Sequence, residues 1–193
     1  TGDYDILLCL SDREDNFRRR ILPTYKANRK GQKPLCYWKL IEWMEQEGET
    51  YTRPSLEADD CIGILSSMEK NKDQCIILSG DKDMRTLAGW HYDFLRDIYE
   101  YITEEEADKN FFLQTLTGDP VDGYSGCPKI GAVNAARILD KDCSWNAVVA
   151  AFEKQGLTEH DALIQARVAR ILRASDYDFK TKEVKLWTPS TNN

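Results

Sequence analysis

Residues 74–83 read QCIILSGDKD. The apolar run Cys75–Leu78 is too short for an ordinary helix and stops at a Ser-Gly pair, so it reads as a buried parallel strand. Two carboxylates, Asp81 and Asp83, follow its carboxyl end, and a short helix is expected after them. In an open parallel sheet, ligands gather outside the carboxyl ends of the strands. An extended turn points residues two apart the same way, so Asp81 and Asp83 would share a direction.

Working outward, the chain repeats this arrangement of acid beside a regular element. DILLCL (5–10) reads as a second buried strand and runs into Asp12. Ser55 is expected to cap a helix from Leu56 to about Met68, whose start carries Glu57, Asp59 and Asp60; Glu57 and Asp60, three apart, share a face. Asp119 and Asp122 have the same spacing in a loop, 117–131, rich in Gly, Asp and Pro. ETYTR (49–53) reads as a strand, 91–102 as a hairpin or two edge strands, and EVKLW (183–187) as a last short strand. Leu35, Trp38, Ile41 and Met44 predict an amphipathic helix over 35–47. Thr103 with Glu106 predicts a capping box for a helix reaching about Leu116. Further helices are expected over Ala132–Leu139, Ser144–Gln155 and Thr158–Ala174. Strands alternating with helices, then helices alone, imply a parallel α/β sheet with a helical module.

The net charge of −7 is unevenly spread. Residues 13–39 hold nine basic and two acidic side chains, leaving −14 on the rest. This is a basic arm beside an acidic body. Eight carboxylates converging alone would repel one another strongly. A pair of divalent cations would relieve that and could clamp both oxygens of a phosphodiester displacement. All-oxygen ligation favours Mg²⁺ or Mn²⁺ over Zn²⁺. His91 and His160 lie beside no acidic cluster. The six cysteines are scattered and read as reduced thiols of a cytosolic protein. No apolar run is long enough to span a membrane, and the start, which lacks Met, does not look like a signal peptide.

Four motifs, in order, resemble the 5′-nuclease (flap endonuclease) superfamily, most nearly the 5′→3′ exonucleases of short-tailed bacteriophages. They are YKANRK (25–30), LEADD (56–60), SGDKD (79–83) and TGDPVDGYSG (117–126). ARILR (169–173) and Leu186-Trp187 look like the phage group too. The resemblance implies a PIN-like parallel-sheet core over 1–113 with a helical arch at 13–33. A helix–three-turn–helix DNA-binding module would follow over 114–175, then a C-terminal strand and tail over 176–193. It implies that Asp12, Glu57, Asp59 and Asp60 surround a first metal, partly through water, and that Asp81, Asp83, Asp119 and Asp122 hold a second. Lys26 and Arg29, with Asp81 and Asp83, would be catalytic, the two cations contacting the scissile phosphate. Tyr25 would stack on a terminal base. Arg18, Arg19, Arg20, Lys30 and Lys33 would bind phosphates, as would Gly126, Lys129 and Gly131 in the three-turn element, whose carbonyls could hold K⁺.

The implied activity is metal-dependent hydrolysis of DNA, and of RNA primers on DNA, near 5′ ends and flaps during phage replication. It would take place in the cytoplasm of an infected bacterial cell. Family members begin with an aspartate-bearing strand well before the counterpart of Asp12. Nothing here supplies it, so the first strand is expected to be absent or to come from a separate polypeptide. Two other readings stay open: a truncated, weakly catalytic binder of branched DNA, and a PIN-type ribonuclease.

Overall fold

The structure, a computed structural model, describes residues 5–29 and 31–189. Its strands fall into three groups. β1 (Leu7–Cys9) pairs in parallel with β2 (Glu49–Tyr51). β3 (Ile76–Leu78) pairs in parallel with β4 (Gly89–Asp93), which turns back antiparallel into β5 (Ile98–Ile102). β6 (Tyr177–Asp178) and β7 (Glu183–Val184) form a small hairpin. The helices are α1 (Arg18–Ile21), α2 (Tyr37–Glu47), α3 (Ala58–Ser66) and α4 (Glu104–Thr117), then α5 (Ala132–Lys141), α6 (Trp145–Glu153) and α7 (Glu159–Ala169). The expected α/β class with a helical module is observed. α3 packs against both β1 and β3 and so bridges the two main sheets.

Local chemistry sets the helix boundaries. At α4, Thr103 Oγ1 accepts from the Glu106 N–H at 3.1 Å and the Glu106 carboxylate accepts from the Thr103 N–H at 2.9 Å, the expected box. Thr158 and Asp161 repeat it at α7. Three expectations are corrected. Ser55 does not cap α3, because its φ of 63° places it in the left-handed region; Glu57 stands at the cap and Asp60 closes it. α7 ends at Ala169 rather than Ala174, because the chain turns extended at Arg170, where the carbonyls of Val168 and Arg170 accept from Arg18. β3 is parallel but not sandwiched: Ile77 is buried, whereas Ile76 and Leu78 are 39% and 55% exposed. α2 forms as expected yet buries none of its residues, and Trp38 and Trp43 face outward.

The largest core gathers Phe111 and Leu116 of α4, Val148 and Phe152 of α6, and Ala162, Ala166 and Val168 of α7 around Tyr25. Trp187 closes it, meeting Phe111 and Trp145 edge-on at 5.1 Å each. A second cluster joins Phe17, Leu56, Cys61, Ile64, Leu172 and Tyr177, and a third joins Ile77, Met84, Leu87 and Ile171. Each large side chain buried in this way contributes about 1.5–3 kcal/mol. The C-terminal segment Ile171–Leu172 therefore holds α3 and β3 in place, and these in turn set the acidic cavity. All six cysteines are free thiols. Among the described residues no helix is long and apolar enough to cross a membrane.

Candidate metal and phosphate site

One cavity of about 380 Å³ is lined by five distant segments of the chain. Its walls include Lys26 and Arg29, Glu57 and Asp59, Asp81 and Asp83, and Asp119 and Asp122. Asp81 arrives from the end of β3: its N–H donates to Ser79 Oγ and its carboxylate accepts from the Asp83 N–H at 2.9 Å. Asp83 is steadied by Gln114 of α4, whose amide donates to it at 2.8 Å. Asp119 accepts from the amides of Val121 and Asp122, which folds the 119–122 turn.

That turn exists because of two glycines. Gly118 (φ 66°) and Gly126 (φ 65°) approach backbone to backbone so closely that a Cβ on either would collide with the backbone around the other. Gly123 (φ 79°) does the same against the Thr24 carbonyl. Through this contact the Tyr25 loop docks onto the acidic loop. The Lys26 N–H donates to the Asp122 carbonyl at 2.7 Å and Thr24 Oγ1 donates to the Gly123 carbonyl at 2.9 Å.

The electrostatics divide the cavity. On one side Lys26 pairs with Glu57 and stands 3.5 Å from Asp122, Arg29 pairs with Asp122, and the Tyr25 hydroxyl donates to Glu57 at 2.7 Å. Burial pushes the Glu57 carboxyl up, but Arg18, Lys26 and Tyr25 outweigh it and hold it at about 2. On the other side the nearby cations are outweighed. Burial, then the charges of Glu57, Asp60 and Asp81, lift Asp59 to about 6. Burial, then Asp81, Asp119 and Asp122, lift Asp83 to about 6 although Lys82 opposes. An excess of oxygen donors and negative charge fits hard divalent cations and no soft metal. Among the described residues, however, no three His, Cys, Asp or Glu side chains stand at ligating spacing. The donor set suits the ions, and side-chain movement is required to wrap them.

Several expected site residues take other positions or roles. Asp60 is fully buried and both its oxygens are taken, by the Arg18 guanidinium at 2.7 Å twice and by the Leu172 and Glu57 amides, so it is structural rather than a ligand. Arg18, 3% exposed, is its partner and is corrected from phosphate binder to core cation. Asp12 does not reach the cavity; its carboxylate accepts from the Glu14 and Ser55 amides and forms a local turn. Tyr25 is buried at 4%, so its ring offers no stacking face. The Gly126 amide is engaged by Gln165 at 2.8 Å and is not free for a phosphate. Arg19, Arg20, Lys33, Lys129 and Gly131 are exposed; Arg20 pairs with Asp15, and Lys33 lies 4.7 Å over the Tyr37 ring. Lys30 lies outside the described residues. Gln114 and Gln165 were missed, since a lone glutamine within a helix gives no signal in sequence.

The N-terminal, resolvase-like domain of 5′-3′ exonucleases matches residues 2–112. The chain belongs to the 5′-3′ exonuclease family. Among members of that family, the exonuclease of Escherichia phage T7 is 31% identical, over 95% of this chain and 74% of its own length. Flap endonuclease Xni of Colwellia psychrerythraea is 29% identical over 96% and 71%. The bacteriophage T5 D15 flap endonuclease, solved as a pseudo-enzyme-product complex with DNA and metal ions, shares the fold. It has a TM-score of 0.66 at 17% identity, over 84% of this chain and 71% of that one. The T5 D15 protein co-crystallized with metal ions gives 0.65 at 18%, over 83% and 73%. In this member of the family the acidic cavity lies beyond the carboxyl end of β3.

Proposed function

We propose that this chain hydrolyses DNA phosphodiesters near 5′ ends and flaps, and RNA primers on DNA, using divalent cations held by the acidic cavity. The observation that carries this reading is the meeting of Glu57, Asp59, Asp81, Asp83, Asp119 and Asp122 on one cavity beside Lys26 and Arg29. Membership of the 5′-3′ exonuclease family supports it. Asp81, Asp83, Asp119 and Asp122 would hold one Mg²⁺, and Asp59 with Glu57 the other; Mn²⁺ would substitute. Two such ions lower the pKa of water and neutralise charge on the leaving oxygen. Lys26 and Arg29, on leaving their carboxylate partners, would take the scissile phosphate and stabilise charge that develops on it. Arg19, Arg20 and Lys33 would extend the phosphate path. The start of α5, with Lys129 and Gly131, would take a backbone phosphate, and the 126–130 turn K⁺. The setting would be phage DNA replication in the cytoplasm of an infected cell.

The second reading is a binder of branched DNA that does not cut. The lack of a ligating triad among the described residues favours it. A 5′-labelled flap substrate incubated with Mg²⁺, with and without EDTA, separates the two. Chelator-sensitive release of short 5′ products supports hydrolysis. Retention of the flap on the protein with no product supports binding alone.

A further inference from the structure

We propose that Gln114 is a positioning residue: it ties one oxygen of Asp83 to the protein, leaves the other to a cation, and so tunes the acidic cavity toward Mg²⁺ and against Ca²⁺. The inference rests on the nuclease reading above and names a determinant of its metal choice.

α4 grips the short helical turn Lys82–Thr86, which follows β3 and carries Asp83. Asn110 and Gln114 are one helical turn apart on α4 and so share a face. The Asn110 side-chain amide donates to the Arg85 carbonyl at 3.0 Å and fixes the backbone of that turn. The Gln114 amide donates to Asp83 Oδ1 at 2.8 Å and fixes the side chain. An ionised carboxylate only accepts, so the NH₂ end of the glutamine is the one that meets it. Gln114 itself has little freedom. Its neighbours Phe111, Thr115 and Leu116 are buried, and its own carbonyl accepts from the Gly118 N–H at 2.8 Å.

Other acids of the cavity are held differently. Asp81 and Asp119 accept from backbone amides of their own turns. Glu57 and Asp122 both meet Lys26, and Asp122 meets Arg29 as well. A cation at position 114 would cancel the charge of Asp83, whereas an amide orients the carboxylate and leaves its charge intact. Both Asp83 and Gln114 line the cavity, and among the described residues no donor reaches Asp83 Oδ2. Asp83 thus offers a cation one oxygen in a fixed direction. Mg²⁺ demands near-octahedral ligation and suits single, well-placed oxygens, whereas Ca²⁺ accepts both oxygens of a carboxylate and irregular shells. Groups hydrogen-bonded to metal ligands set the ligands' orientation and the affinity for the metal.

The test measures cation binding without DNA and follows flap cleavage separately. Mn²⁺ is titrated by calorimetry into the full chain, and Mg²⁺ and Ca²⁺ are then titrated against bound Mn²⁺. Gln114→Met keeps an unbranched side chain and a high helix preference but has no donor. It is expected to weaken Mn²⁺ binding by about tenfold or more. Competition by Ca²⁺ relative to Mg²⁺ should rise by about threefold or more, because Asp83 Oδ1 is released. Asn110→Ala loosens the same turn but leaves the Gln114–Asp83 bond, and is expected to keep the parent's ratio of Ca²⁺ to Mg²⁺ competition. Circular dichroism checks that both variants fold. A Gln114→Met chain with the parent's ratio overturns the proposal whatever its thermal midpoint. So does an equal shift in Asn110→Ala, which would make the effect one of general loosening. A parent chain that binds Mn²⁺ and cuts the flap while Gln114→Met keeps its ratio defeats this proposal alone. A parent that binds no Mn²⁺ defeats the nuclease reading and this proposal with it.

Discussion

Arg18 and Asp60 form a two-pronged ion pair, 2.7 Å on each arm, in which neither side chain meets solvent appreciably. Burial disfavours the Arg18 charge, but Asp60 more than restores it. Removing one member of such a pair strands a buried charge and costs about 3–5 kcal/mol. Arg18→Met is therefore expected to lower unfolding free energy by about that amount in urea titration. The double variant Arg18→Met/Asp60→Leu is expected to recover more than half of it. A single-variant loss below about 1 kcal/mol would show that the pair does not hold the fold.

Asp81→Asn and Asp83→Asn are expected to lower cleavage of a flap substrate at least a hundredfold while DNA affinity in EDTA changes less than threefold. Asp60→Asn, by contrast, should lower thermal stability without changing the Mg²⁺ concentration for half-maximal activity in whatever folded fraction remains. A shifted Mg²⁺ requirement in Asp60→Asn would restore it as a ligand.

Lys26 neutralises the same carboxylates that would face a cation. Lys26→Met is predicted to move two quantities in opposite directions. Mn²⁺ should bind more tightly, by titration calorimetry, because its competitor for Glu57 is gone. Turnover should fall by about a hundredfold or more, as for removal of a group that stabilises transition-state charge. Parallel losses in both would refute competition between Lys26 and metal.

Gly123→Ala forces a Cβ into the Thr24 carbonyl at a φ that side chains rarely adopt. The cost expected is about 1–3 kcal/mol, read as a fall in thermal midpoint. Protection of the Lys26 amide in hydrogen exchange should fall too, since its acceptor, the Asp122 carbonyl, lies on the displaced loop. Unchanged exchange would mean the two loops are not coupled.

His91 sits inside, its Nε2 donating to the Leu87 carbonyl at 3.0 Å, and burial lowers its pKa below 6.5 although that bond opposes the shift. The unfolded chain thus takes up this proton first. Stability from this group is full above pH 6.5 and falls as pH drops from there toward the depressed folded value. His91→Gln keeps the donor and removes the titration. It should flatten the slope of unfolding free energy against pH in that window by up to about 1.4 kcal/mol per pH unit. An unaltered slope would place the acid sensitivity elsewhere.

Periodic and capped elements were legible from sequence. The Thr103–Glu106 box, the parallel β3 and the 117–131 loop all follow from local rules. The meeting of Glu57, Asp59, Asp81, Asp83, Asp119 and Asp122 on one cavity was legible because the acids cluster at or just beyond the ends of regular elements. What was not legible depends on partners distant in sequence. Asp60 looks identical to Asp59 in the motif, and only the arrival of Arg18 and the Leu172 amide makes one structural and leaves the other at the cavity. Asp12 follows a strand as Asp81 does, yet the Ser55 backbone claims it. Tyr25 reads as a surface aromatic within a basic run, but the α4–α7 core takes its ring.

The Arg18 side chain also donates to the carbonyls of Val168 and Arg170, some 150 positions along the chain. A stretch ending at residue 112, where the match to the N-terminal exonuclease domain stops, would keep the guanidinium and forfeit those acceptors. The boundary drawn by kinship is thus not one at which the polypeptide can be severed. Arg18 finds its full set of acceptors only when residues 168–170 are present, and the same stretch lines the acidic cavity, so the walls of the nuclease centre are shared between segments far apart in the chain.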